Sequence, residues 1–296
     1  MTVVNLKEHI IAASAVIIIF ICIQDLFLKP KNLLRSVSTQ RTTSAPLMIS
    51  RHAPVIYTYF TKNKSRQYQK DDIEQEDMRN TWVTKWTQAG WKPTILTEED
   101  ARKHPMFEEY QKDLDKLNIE HYDHICFHRW MAMSIVGGGF MADYDTIPLD
   151  INSVIGHVLP NEGKFTIYDF TYHPVPGLLS GDRFQWESAL QGIMKYVPQH
   201  AGEFFNDMRA LQQLVKDEPN FAVRDVKVAS DVYSAGKGKV DCTAYEGMYA
   251  IHFSHKTQTE AVKKGLLPPL PKEAKSRAWH IRRFHQDWLD QCVNGN

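Results

Sequence analysis

The stretch Gly137-Gly138-Gly139-Phe140-Met141-Ala142-Asp143-Tyr144-Asp145 constrains this chain more than any other. Its three glycines end a helical pattern in which Ile125, Arg129, Trp130, Met133 and Val136 fall roughly on one side. The apolar run that follows reads as a short strand with Asp143 at its C-terminal edge. Burying an unpaired carboxylate costs several kcal/mol. Two aspartates leaving an apolar strand one residue apart therefore need a cation or a donor to meet them. In open α/β sheets that strand edge is where ligands bind.

The flanking pattern agrees with a layered α/β fold. Residues 55–60, VIYTYF, read as a first strand, and Met78, Trp82, Val83, Trp86 and Ala89 form one face of a helix that stops at Gly90. Residues 93–97, PTILT, read as a second strand, and Thr97 with Asp100 resembles a capping box opening a helix that His104-Pro105 interrupts. Residues 164–170 and 250–255 have strand character. Helices are expected from Asp182 to Tyr196, over 202–215 and in a basic segment within 272–292. This alternation predicts a single α/β domain with a mixed, largely parallel central sheet.

The N-terminus differs in kind. From His9 to Leu28 the sequence is nearly continuous apolar residues, interrupted by Ser14, Gln24 and Asp25. That length suits a transmembrane signal anchor over 9–28, behind a short tail of residues 1–8. A cleaved signal peptide and a buried helix are the rivals, and the flanks lack a good cleavage site. Residues 29–53, rich in Ser, Thr and basic side chains, read as a stem, leaving 54–296 as the folded domain. By positive-inside counting, Lys29, Lys31 and Arg35 against Lys7 would leave the domain in the cytosol. The formal net charge is zero and no basic stripe interleaves with aromatics, which excludes a nucleic-acid partner from the expected set. Four dispersed cysteines, 22, 126, 242 and 292, argue against a zinc cluster and allow at most one bridge among the last three. Asn63-Lys64-Ser65 is a sequon, meaningful only in a secretory lumen.

Strand alternation sends Asp143 and Asp145 to one side, where hard oxygen ligands suit Mg²⁺ or Mn²⁺ bridging phosphates. Together with Arg129 and the glycines, the pair closely resembles the Asp-X-Asp sugar-binding region of the glycosyltransferase family 32 and α-1,4-galactosyltransferase-like group. The resemblance covers roughly 54–255 and is most specific over 122–150. It implies a GT-A-like nucleotide-sugar-binding domain, and a single-pass type II protein of the Golgi or secretory pathway with its catalytic domain lumenal.

By that resemblance Asp145 and Asp143 hold the metal and, with Tyr144, contact the donor. Arg129 pairs with the donor or with Asp143, the rival being a helix-face salt bridge. His252 completes the metal site, with His255 competing for the role. Ser180, Gly181 and Asp182 present a small residue and a catalytic acid to the donor sugar, Asp182 being equally readable as an N-cap. Trp186 and Glu187 are weaker candidates. Relatives carry an acid three residues before the arginine; here that position is Cys126, with Asp123 three residues further back.

The implied chemistry is retaining, metal-dependent transfer of a sugar from a UDP- or GDP-sugar to a hydroxyl of a glycan, glycolipid or glycoprotein. The membrane is a partner through the N-terminal helix. The alternatives are a metal-dependent nucleotidyl or phosphoryl transferase, for which no Gly-rich phosphate loop is present, and a non-catalytic, membrane-tethered carbohydrate-binding protein.

Overall fold

The computed structural model describes residues 52–61, 72–236, 238–272, 274 and 276–295. All belong to the unit Met48–Asn296. Two neighbouring strands, β1 (Val55–Tyr59) and β2 (Lys92–Leu96), flank helix α1 (Asp72–Gln88) in sequence and pair in parallel. The next helices are α2 (Glu98–Ala101) and α3 (Phe107–Leu114), parted by the His104-Pro105 break, and α4 (His121–Val136). Gly137 ends α4 with φ at 93°, a left-handed cap that a side chain would strain. Strand β3 (Gly138–Ala142) follows and pairs in parallel with β1.

Beyond β3 come β4 (Thr146–Pro148), β5 (Thr166–Asp169) and β6 (Val175–Asp182). Helices α5 (Arg183–Met194) and α6 (Asp207–Asp217) follow, then β7 (Val223–Arg224), β8 (Val228–Ala229), β9 (Ser234–Gly236), β10 (Lys239–Val240) and β11 (Ala250–His252). The chain closes with α7 (His255–Lys263) and α8 (Ala278–Trp288). The main sheet has the order β2-β1-β3-β6-β5-β7, and a smaller one the order β4-β11-β8.

Successive side chains of the central strands enter opposite layers, as the pleat requires. Phe140 and Leu178 join a core with Trp82, Trp86 and Phe284, while Met141 and Leu179 join one with Phe127, Trp130 and Trp186. Helices thus cover both faces of the sheet, as in a layered α/β domain.

The sheet is mixed, as expected, with three parallel pairings and two antiparallel ones, because β6 runs antiparallel to both β3 and β5. Pro176, Gly177 and Gly181 hide β6 in the sequence, since they read as loop residues. The membrane-spanning helix is withdrawn: among the described residues no helix is long and apolar enough to cross a membrane. Even α1, with 17 residues, spans only about 25 Å against a hydrocarbon core of about 30 Å, and it carries charges throughout. The segments 1–8, 9–28 and Asn63 lie outside the described residues, as does the stem up to residue 51.

Cys242 and Cys292 form a disulfide, and Cys126 is a free thiol. Closing a loop of this length contributes about 4 kcal/mol in the chain-entropy account.

His285 of α8 is buried, with Nε2 donating to the Pro148 carbonyl at 3.1 Å and Nδ1 buried without a partner. Burial, and then Lys85, pull its pKa from 6.5 down to about 4. The unfolded chain therefore takes up the proton first, so the stability from a neutral His285 is complete above about pH 6.5 and is lost as pH falls toward 4. Between pH 7 and pH 5 this residue alone removes up to about 2 kcal/mol. His285→Gln keeps a donor for Pro148 but has no proton to gain. Its melting temperature should fall less than that of the wild type over the same pH interval, measured by calorimetry.

Candidate metal centre

The aspartates sit in the tight turn that joins β3 to β4. Asp143 accepts from the Thr146 amide at 2.8 Å across this turn, and its own amide donates to Gly177 of β6 at 3.0 Å. Thr146 then opens β4, whose antiparallel partner is β11 with His252 opposite Thr146. The turn thereby carries Asp145 to the side of a histidine more than a hundred positions later. One ligand atom from each of Asp143, Asp145 and His252 lies within 4.8 Å of the others.

Each of these side chains is held by a second group. Asp169, at the end of β5, accepts from His252 Nδ1 at 2.8 Å and from the Ser230 hydroxyl at 2.7 Å. This fixes the ring so that Nε2 faces the aspartates, 3.4 Å from Asp145 Oδ1 and 3.9 Å from Asp143 Oδ2. A carboxylate holding one imidazole nitrogen while the other faces a cation position is a recurrent metal-site device.

Arg129 donates to Asp143 Oδ1 and, through Nε at 2.8 Å, to Asp207 Oδ2, which also accepts from Trp130 Nε1 at 2.9 Å. Arg277 Nη1 donates to Asp145 Oδ2 at 3.0 Å. Each ligand carboxylate thus has one oxygen on a guanidinium and the other turned toward His252. Gly177 packs against this assembly so closely that a Cβ would lie 2.8 Å from both Asp169 Oδ2 and His252 Nδ1.

The electrostatics separate the two aspartates. Burial pushes the Asp143 carboxyl up to about 6, against the pull of Arg129 and with help from Asp145. Burial also acts to raise Asp145, but His252 and then Arg277 outweigh it and hold that carboxyl well below the usual range. Burial alone would lower His252, yet Asp145 and then Asp169 outweigh it and lift the imidazole well above 6.5. Without a cation, the imidazolium is the counter-ion of the pair. A metal must displace the Nε2 proton, since imidazole binds metals as the neutral ring. Four carboxylates against two guanidinium groups leave two negative charges when His252 is neutral, the charge of one divalent cation. Two oxygens and one imidazole nitrogen suit Mn²⁺ better than the all-oxygen preference of Mg²⁺.

Of the residues expected from sequence, Asp143, Asp145, Arg129 and His252 come together here. Tyr144 is half-buried beside them, edge-on to Phe60 with ring centroids 6.2 Å apart, and burial raises its phenol. Ser180, Gly181 and Asp182 do not come together with them. In the β3–β6 register Asp182 stands opposite Gly138 and Leu178 opposite Ala142, so this trio lies toward the other end of the strand. Asp182 caps α5 by accepting from the Gln185 amide at 2.9 Å, and the buried Ser180 hydroxyl bonds Tyr168. The small residue that reaches the centre is Gly177, four positions earlier. His255 begins α7 and so leaves the strand that carries His252. Trp186 is core, donating to Gly139, and Glu187 accepts from Ser134 and faces His104 at 3.2 Å. Asp123 accepts from Asn206 at 3.2 Å and does not take the place of an acid at 126.

Asp169, Asp207 and Arg277 were missed. Asp169 had a signal, an acid at the end of a strand-like run; Asp207 reads as a first-turn helix acid and Arg277 as one of several bases in a terminal helix.

Residues 32–217, well over half of the chain, match the model of a family described as a domain of unknown function (DUF8765). The chain belongs to that family. No curated protein matches it. Within this DUF8765 member, Arg129, Asp143, Asp145, Asp169 and Asp207 fall inside the matched span, while His252 and Arg277 lie C-terminal to it.

The placement of Asp182 carries a direct expectation. Asp182→Ala should cost about 1 kcal/mol through the lost cap, read from chemical denaturation, and leave divalent-cation affinity unchanged. By contrast, Asp207→Asn weakens the partner of a buried guanidinium and should cost about 3 kcal/mol or more.

Proposed function

We propose that this protein is a metal-dependent glycosyltransferase, moving a sugar with retention from a UDP- or GDP-sugar to a hydroxyl of a glycan, glycolipid or glycoprotein. The observation that carries the reading is the Asp143–Asp145–His252 triad at the C-terminal edge of a strand, with one oxygen of each aspartate pinned and the other turned inward. The Asp-X-Asp resemblance supplies the reaction class. A divalent cation held there, Mn²⁺ in preference to Mg²⁺, would neutralise the diphosphate as it leaves.

The protein's own part is positioning. Arg129 is 8% exposed with its guanidinium taken up by Asp143 and Asp207, so it orients Asp143 and does not reach for the donor. Asp169 keeps His252 Nε2 turned toward the cation position. Tyr144 stands next to both ligands and offers an aromatic face to the donor.

Phosphoryl transfer at a two-metal centre is the weaker reading. It would need a further acid beside the pair, and the two nearby ones are committed, Asp169 to His252 and Ser230, Asp207 to Arg129 and Trp130. The Cys242–Cys292 disulfide supports an oxidising setting such as the secretory lumen.

The test is hydrolysis of a panel of UDP- and GDP-sugars by the full chain with and without Mn²⁺. The wild type should release nucleoside diphosphate only with the metal, and Asp145→Asn should lower the rate by about a hundred-fold or more. Metal-dependent turnover that survives Asp145→Asn would sink the reading.

A further inference from the structure

We propose that Arg277 is a positioning residue for the candidate metal centre: its guanidinium holds one oxygen of Asp145 so that the other stays turned toward Asp143 and His252. The inference rests on reading the triad as a cation site, and it concerns a residue outside the span that matches the family model.

Arg277 is 4% exposed. Its Nη1 donates to Asp145 Oδ2 and to the Phe253 carbonyl, each at 3.0 Å, and Phe253 directly follows His252. The Phe253 amide in turn donates to the Asp145 carbonyl at 2.8 Å. One guanidinium nitrogen therefore ties the side chain of one ligand to the backbone beside another. A carboxylate in a turn, with no such partner, would rotate among several orientations and lose the shared focus with Asp143.

The arginine is itself clamped. Its amide donates to Glu74 at 3.3 Å, and the preceding Ser276 hydroxyl donates to Asp77. Arg282, further along α8, reaches Asp77 at 2.6 Å and Thr81 at 2.8 Å. The start of α8 is thus fastened to α1.

Stability alone does not account for this residue. Arg277 Nε is buried without a partner, which is destabilising, and a well-packed apolar side chain commonly matches or exceeds a buried ion pair in stability. An arginine at that position fits a role in the site.

Charge and geometry make opposite predictions here. As a positive charge beside a cation site, Arg277 opposes metal binding; as the group that aims Asp145, it favours binding. Mn²⁺ titration of the full chain, followed by the electron paramagnetic resonance signal of free Mn²⁺, separates them in the wild type, Arg277→Gln and Arg277→Lys. Near-ultraviolet circular dichroism and thermal unfolding check the fold of each. The expected result is binding about ten- to a hundred-fold weaker in Arg277→Gln despite the lost positive charge, with part of the affinity recovered in Arg277→Lys. Equal or tighter binding by a folded Arg277→Gln protein would overturn the proposal. If that variant does not fold, Arg277→Lys decides, since lysine keeps the charge on a shorter stem without the planar fork. Weakening beyond about threefold then supports positioning, and unchanged affinity overturns it. A wild type that leaves Mn²⁺ free would instead overturn the cation reading of the triad, a result distinct from either variant's.

Discussion

The structure around the strand edge depends on compensating buried carboxylate charge. Asp169 and Asp207 are almost fully enclosed, and Asp145 nearly so, in surroundings where an unpaired carboxylate would cost several kcal/mol. Arg129 lies between Asp143 and Asp207, Arg277 caps Asp145, and His252 joins Asp169 to the pair. These contacts draw α4, α6, the turn after β3, β11 and the start of α8 to a common point. A protonated His252 leaves the network one positive charge short, and a neutral imidazole leaves it two short, so the site is organised around whatever supplies them. That is the physical core of the metal reading.

The C-terminal quarter completes the centre. The small sheet β4-β11-β8 brings the returning chain alongside the aspartate turn, and His252 arrives opposite Thr146 because of that pairing. Trp86 of α1 donates to the Thr146 carbonyl, which braces the end of the same turn. The disulfide joins Cys242, ten residues before His252, to Cys292, just beyond α8. Both the imidazole and the Arg277 guanidinium therefore lie within one covalently closed loop. Local chemistry near residue 143 is given meaning by a segment that the matched family span does not reach.

Local and periodic features were legible in the chain. The Trp82 and Trp86 stripe reads directly as a helix face, and both indoles are fully buried. The Gly137 stop, the His104-Pro105 break and the strand before Asp143 each come from a few adjacent residues whose backbone preferences agree. β6 was not legible, because a central antiparallel strand containing proline and two glycines is stabilised by neighbours on both sides and not by its own propensity. Ser180, Gly181 and Asp182 were expected near the donor from the family resemblance alone, whereas the strand register carries them away from the aspartates and brings Gly177 in.

The sequence by itself determined an α/β domain and the aspartate pair at a strand edge. Both follow from short-range pattern: helical spacing, pleat alternation and the stop imposed by glycine. The histidine partner was only implied by the family resemblance, which left His252 and His255 in competition. Only the tertiary structure decided which charges meet. Arg129 finds Asp207 across 78 residues and Arg277 finds Asp145 across 132. Among many arginines and aspartates a one-dimensional string offers no preference. Coulomb energy and hydrogen bonding depend on separation in space and on the loss of water, and both are set only once the sheet, its flanking helices and the closing segment are packed.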